Sequence, residues 1–286
     1  MKKVAIVTDT TACIPQEQVI KYDIEVVPVQ LIFKDKTYRD GIDITPTGFY
    51  ALLRQADKLP TTSSSSPIPY LEAYRKASQR AKSILCLTEP SKFSAMFNSA
   101  STAREIAKTT LHNVVVEVLD CTTAAAGQGL VTLAAARAAA SGQNLKEVIS
   151  VSKNTMDQMN LFATLDTLHY LVKSGRVPQA AALVNSLLKI KPIFSLNHDD
   201  ARTVALPRSI SSAIKRMLKL MEQRIVKGKP LHAAVMHADA LDKAVALRTR
   251  IASQFDCTEL FITEFTPVMG VHTGPGLLGI AFYCEK

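Results

Sequence analysis

Short apolar runs alternate with longer amphipathic stretches along this chain. Val4 to Val7 is apolar and ends in Thr8-Asp9-Thr10-Thr11, the pattern of a buried strand running into a loop. Ile24 to Phe33 is rich in Val and Ile, with Pro28 marking a bulge or an edge. Thr45-Pro46 pairs an N-cap with proline at the first helical position and opens a helix through Ala56. Ser66-Pro67 repeats the device before Tyr70 to Arg80. A strand at Ser83 to Leu87, a helix from Ser94 to Lys108 and a strand at Val114 to Leu119 follow. An Ala-rich helix then ends near Ser141-Gly142. This alternation predicts a mainly parallel, doubly wound sheet in a three-layer α/β/α domain.

The second half reads differently. Leu145 to Gln158 predicts a helix bridging the halves. A helix over Thr167 to Lys173 stops at Ser174-Gly175, where glycine takes the left-handed cap. Pro178 to Leu188 reads as another helix. Ile190 to Leu196 and Thr203 to Leu206 flank Asn197-His198-Asp199-Asp200, a hairpin signal. Ser209 to Val226 is amphipathic, with Ile210, Ile214, Met217, Leu218 and Met221 on one face. Strands at Leu231–His237, Leu260–Phe265 and Leu277–Cys284, with a helix at Asp239–Phe255, predict a mixed sheet with helices. The 286 residues fit two α/β domains. The division falls at 1–158 and 159–286, with a ligand site between them.

Composition adds exclusions. Apolar residues at 47% and charged residues at 21% are ordinary globular usage and exclude a disordered chain. Aromatics are 6% with no Trp, leaving few platforms for stacking single-stranded nucleic acid. The net charge of +9 is spread over the chain, as solvated helix faces are, so no specific nucleic-acid partner is expected. The five cysteines lack a C-x-x-C and read as small buried residues in a reducing compartment. Met1-Lys2-Lys3 is followed by an apolar run too short for a signal peptide, and no run has transmembrane length. A cytoplasmic protein is the expectation.

The chemistry gathers at helix starts. Hydroxyls stand before helices at Thr8 to Thr11, Thr62 to Ser66, Ser91 to Ser94 and Thr122-Thr123. Helix N-termini carry free N–H groups and partial positive charge, so these loops suit a small anion. In a parallel sheet they lie together at the strands' carboxyl ends. Each hydroxyl alone serves its own helix, but Thr61 to Ser66 offers more than one cap needs. There is no phosphate-binding G-x-x-x-x-G-K-[ST], no G-x-S-x-G elbow and no H-E-x-x-H. Gly274-Pro275-Gly276-Leu277-Leu278-Gly279 matches G-x-G-x-x-G but runs into the last strand, so no dinucleotide site follows. His232 and His237 sit at an odd spacing on one strand and face opposite sides, as structural residues rather than paired metal ligands. His272 lies in a Gly-rich stretch expected to be a loop between strands, where it can donate to an anion.

These motifs, in order, resemble the DegV family of bacterial fatty-acid-binding proteins. Thr8 to Ala12 is similar to D-S-T-A-D, Pro60 to Pro67 to T-S-Q-P-S-P, and Ser91 to Ala100 to S-x-L-S-G-T-Y-x-S-A. Asp120 to Gly129, Leu168 to Arg176, Lys191-Pro192-Ile193, Arg208-Ser209 and His272 to Gly279 match further family segments. The resemblance implies a carrier, not an enzyme. It binds one long-chain fatty acid, buries the acyl tail and presents the carboxylate to a separate fatty-acid kinase for acyl-phosphate formation. A membrane surface would serve lipid exchange, and no cofactor or metal is implied. The carboxylate ligands carried over are Thr62, Ser63, Ser94 and His272. Ser64, Arg176, Arg208 and Gly274 fall near the site or on a partner-facing surface. The chain departs from the pattern at Ser64, Ser65, Ala95, Met96, Phe97 and Ser174, positions that bear on acyl-chain preference. Ala95 stands where a glycine could hold a positive φ. The alternative from the residues themselves is an esterase or acyltransferase using Ser94 and His272. It lacks an evident acid to orient the histidine.

Overall fold

The parallel architecture expected of the first half and the mixed one expected of the second both form. A computed structural model of the chain describes residues 2–63, 66–186, 190–197 and 200–285. The first elements are Lys2–Asp9 (β1), Gln16–Tyr22 (α1), Glu25–Val27 (β2), Gln30–Phe33 (β3), Lys36–Arg39 (β4) and Pro46–Arg54 (α2). Next come Thr61–Ser63 (β5), Pro67–Ser78 (α3), Ala81–Thr88 (β6), Met96–Thr110 (α4), Val115–Asp120 (β7) and Ala126–Ala140 (α5). Leu145–Gln158 (α6), Asn160–Thr164 (β8), His169–Ser174 (α7), Ile193–Asn197 (β9) and Asp200–Ala205 (β10) follow. The remainder is Ile210–Glu222 (α8), Leu231–His237 (β11), Leu241–Gln254 (α9), Glu259–Glu264 (β12), Pro267–Thr273 (α10) and Leu278–Cys284 (β13).

One sheet, in the order β2-β1-β6-β7, is parallel throughout. A second runs β10-β9-β8-β13-β11-β12 and is antiparallel except for the β11–β12 pair. A small antiparallel sheet, β4-β3-β5, lies beside them. Between the two large sheets runs α5, which packs on β1 and also on β11 and β13. Its alanine-rich sequence is apolar all round because every side meets protein; Leu130, Val131 and Leu133 are fully buried. The main core is therefore continuous from Val4 to Tyr283. A second cluster, including Met217, Val235, Ile251 and Phe282, fills the outer face of the mixed sheet beneath α8 and α9.

Several elements differ from the sequence reading. Pro28 does more than mark an edge: it divides the Val/Ile run into β2 of the parallel sheet and β3 of the small sheet. Proline has no N–H to continue a ladder and fixes φ. Strand β8 was not expected, because Leu161-Phe162-Ala163 is too short an apolar run to separate a buried strand from a helix. Pro178–Ser186 winds as 3₁₀ turns instead of an α-helix. Val177 supplies no capping side chain, and the first turn holds no acid and the last no base, so α-helix has little local support. Residues 187–188 of that expected helix lie outside the described residues. In the hairpin Asn197 pairs with Asp200, and His198 and Asp199 lie outside the described residues.

Candidate functional site

The site is built where the small sheet meets α10. Thr62 and Ser63 lie on β5, opposite Leu31 and Gln30 of β3. Thr266-Pro267 starts α10 with proline in its first turn, and Gly274 ends it at φ 66°. His272 therefore sits in the last turn of a short helix, not in a loop between strands. The Thr-Pro start is the same signal that marked α2, overshadowed here by the glycines that follow.

Thr62 Oγ1 lies 3.3 Å from His272 Nε2. Among the described residues the other ring nitrogen, Nδ1, is buried without a hydrogen-bond partner. Burial, and then the positive charge of Arg176, lower the His272 pKa to about 4. The ring is neutral at physiological pH, with one N–H to donate and one nitrogen to accept. A buried polar atom left unpaired costs about 1–3 kcal/mol, which sets this ring apart from a fully partnered histidine.

Two cavities share His272 and Arg176 in their walls. One is apolar, lined by Leu161, Leu165, Phe194, Met236, Phe265 and Leu277, with Glu89 beside them. The other is a polar cleft lined by Thr61, Thr62, Tyr170, Lys173 and Ser174. An apolar chamber and a cationic, hydroxyl-bearing cleft that share a histidine and an arginine suit a molecule with an apolar tail and an anionic head.

The other candidates divide. Ser94 is half-buried at the start of α4, its Oγ accepting the Met96 N–H at 3.4 Å and bonding the Glu89 carboxyl. Ser94 itself lines neither of the two cavities; the preceding Phe93 lines the apolar one. Ala95 has φ −89°, an ordinary conformation, so its methyl strains nothing where the family pattern has glycine. Ser63 is half-buried in β5 and lines neither of these cavities. Arg176 is exposed, and its Nη1 donates to the Ser174 carbonyl at 2.7 Å. Arg208 is exposed between β10 and α8 and lines neither cavity, so the fold does not bring it to His272. Gly274 has both a positive φ and a crowded neighbour: a Cβ there would stand 2.0 Å from Cδ2 of Tyr170. Ser64 lies outside the described residues. Among the described residues no hydrogen bond joins Ser94 to His272, as the esterase alternative needs.

The Thr8 to Thr11 hydroxyls, and Ser91 of a second cluster, are engaged by the fold. Thr8 donates to the Leu87 carbonyl at 2.9 Å. Asp9 accepts from the Thr11 N–H at 3.1 Å and from the Thr11 hydroxyl. Ser91 bonds Asp120 through its N–H and its hydroxyl.

The sequence reading missed Glu89 and the buried acids behind it. Burial, then the charge of Asp9, push the Glu89 pKa up to about 7, against the Ser94 hydrogen bond and Arg176. Asp9 is itself raised by burial. The available signal was position: Glu89 directly follows β6, at the carboxyl end of a parallel strand where such sites form.

Comparison with known proteins agrees with this fold. The family model described as "Uncharacterised protein, DegV family" matches residues 3–285. Protein DegV of Bacillus subtilis is 30% identical over 285 residues, covering 99% of both chains. A solved DegV family protein from Thermus thermophilus, described as binding fatty acid, is 29% identical and superposes with a TM-score of 0.91 over 100% of both chains. The solved Bacillus subtilis DegV, described as a fatty-acid-binding protein, gives a TM-score of 0.88 at 28% identity, again over 100% of both chains. On its sequence and fold, the chain belongs to the DegV family.

Proposed function

We propose that this protein binds one long-chain fatty acid, with the tail in the apolar cavity and the carboxylate at His272, Thr62 and Ser94. The observation that carries the reading is the pair of cavities sharing His272 and Arg176. Each methylene moved from water into the apolar chamber contributes about 0.8 kcal/mol, so the tail supplies most of the affinity. The head contributes orientation through hydrogen bonds to an ionised acceptor, worth about 1.5–3 kcal/mol each. Ser63 is a further hydroxyl close by in β5. The solved relatives described as fatty-acid-binding support the same ligand class.

The reading extends to a carrier role without catalysis of its own, in the cytoplasm. Residues 1–158 and 159–286 act as two domains that enclose the ligand. The cleft exposes the head group to a separate fatty-acid kinase, with Arg176 and Arg208 on the docking side, and a membrane surface serves lipid exchange. Calorimetric titration of the delipidated protein with oleate tests the binding reading. Saturation at one ligand per chain, with much weaker binding of the methyl ester, is expected. Absence of saturable binding, or equal binding of the ester, would overturn it.

A further inference from the structure

Glu89 is out of keeping with its surroundings. It is 9% exposed in the wall of an otherwise largely apolar cavity. Among the described residues no cationic side chain forms a salt bridge with it, although His272 and Arg176 line the same cavity. Its side chain meets Ser94, and its backbone N–H is held by Asp9 Oδ2 at 3.2 Å. A buried carboxylate without a cation is costly, and a carboxylic acid is not.

We propose that Glu89 is a ligand-binding residue of the head-group site and meets the fatty-acid carboxylate as a protonated acid, so that at alkaline pH each ligand enters together with one proton. This rests on the fatty-acid reading above. Two carboxylates at one site cannot both stay ionised, but a carboxyl and a carboxylate can share a proton in a hydrogen bond. The remaining charged and titratable groups do not supply the proton. On β1, Asp9 has its carboxylate engaged by Thr11, Tyr70, Gln128 and the Glu89 N–H. Asp40, buried beyond Asp9, lines a different cavity. On α10, His272 is neutral above about pH 4. After α7, the Arg176 guanidinium, in the wall of the same cavity, has only hydrogen-bond donors.

The sign follows from linkage. Glu89 in the empty site, held near neutrality by burial, loses its proton as pH rises past about 7. Above that pH, binding must restore the proton, and affinity falls up to about tenfold per pH unit. The test is calorimetry with oleate on the full delipidated chain between about pH 6 and pH 9, in buffers of different ionisation enthalpy. Expected are uptake of one proton per ligand at the alkaline end, falling affinity with pH, and a flat profile in Glu89→Gln. Identical profiles in wild type and variant overturn the proposal, as does affinity that rises with pH. If Glu89→Gln does not fold, the buffer dependence of the wild-type heat decides alone. A wild type that binds no oleate at any pH removes the fatty-acid reading and this proposal together. Binding without proton uptake removes only this one.

Discussion

Two histidines, the buried His232 and the half-buried His272, are treated in opposite ways in two regions of the molecule. His232, on β11, is enclosed by partners. Its Nδ1 lies 3.1 Å from Glu259, its Nε2 2.9 Å from Glu285, and its ring stacks on Tyr283 with centroids 4.8 Å apart. Arg137 completes the group by binding Glu259 and the Tyr283 hydroxyl. Burial alone would raise Glu259, but His232 and Arg137 outweigh it and hold its pKa below the usual value. His272 has only Thr62, and its second nitrogen is buried and unpaired among the described residues. The first arrangement ties β11, β12 and the end of β13 together. The second leaves hydrogen-bonding capacity beside an apolar chamber. A saturated network is architecture; an unsaturated one beside a cavity is a candidate for ligand binding.

The comparison can be broken by exchange of effects. His272→Ala is expected to weaken fatty-acid affinity about ten- to hundred-fold, the loss of one hydrogen bond to an ionised group, with little change in melting temperature. His232→Ala should do the reverse: stability falls by about 2 kcal/mol in denaturant titration while ligand affinity stays constant. Gly274→Ala, forced against Tyr170 at a positive φ, is expected to cost about 1–3 kcal/mol of stability. Thr62→Val keeps the shape of β5 but removes the hydroxyl, and should weaken ligand binding about tenfold, the lower end of the range for a hydrogen bond to an ionised group. A further effect is on pH. His272 has a folded pKa of about 4 against 6.5 for the free group, so between these values the unfolded chain binds more protons. Stability of the empty protein should therefore decline as pH falls from 6.5 towards about 4, and less steeply in His272→Gln, read by thermal melts.

Much of this was legible in the chain, and particular residues show where legibility ended. The strands β1, β6, β7 and β11 stand at their expected places because continuous apolar runs ended in clear turn chemistry. Strand β8 did not announce itself, since its apolar run is equally a helix fragment until β13 and β9 pair with it. Thr62 and His272 were legible through the motif resemblance, and their meeting across 210 residues is a product of the β3–β5 pairing and α10. Thr8 to Thr11 looked like part of the anion site, but its hydroxyls serve Asp9 and Leu87 instead. Glu89 carried no motif at all. Only its burial beside apolar neighbours makes a common surface residue unusual.

The central claim, a fatty acid held by its carboxylate at His272, is most directly tested by native mass spectrometry of the purified protein with identification of the extracted lipid. The wild type is expected to carry one long-chain fatty acid per chain, and the His272→Ala, Thr62→Val double variant to have lost most of it. An empty wild type, a ligand without a carboxylate, or equal occupancy in the double variant would contradict the claim.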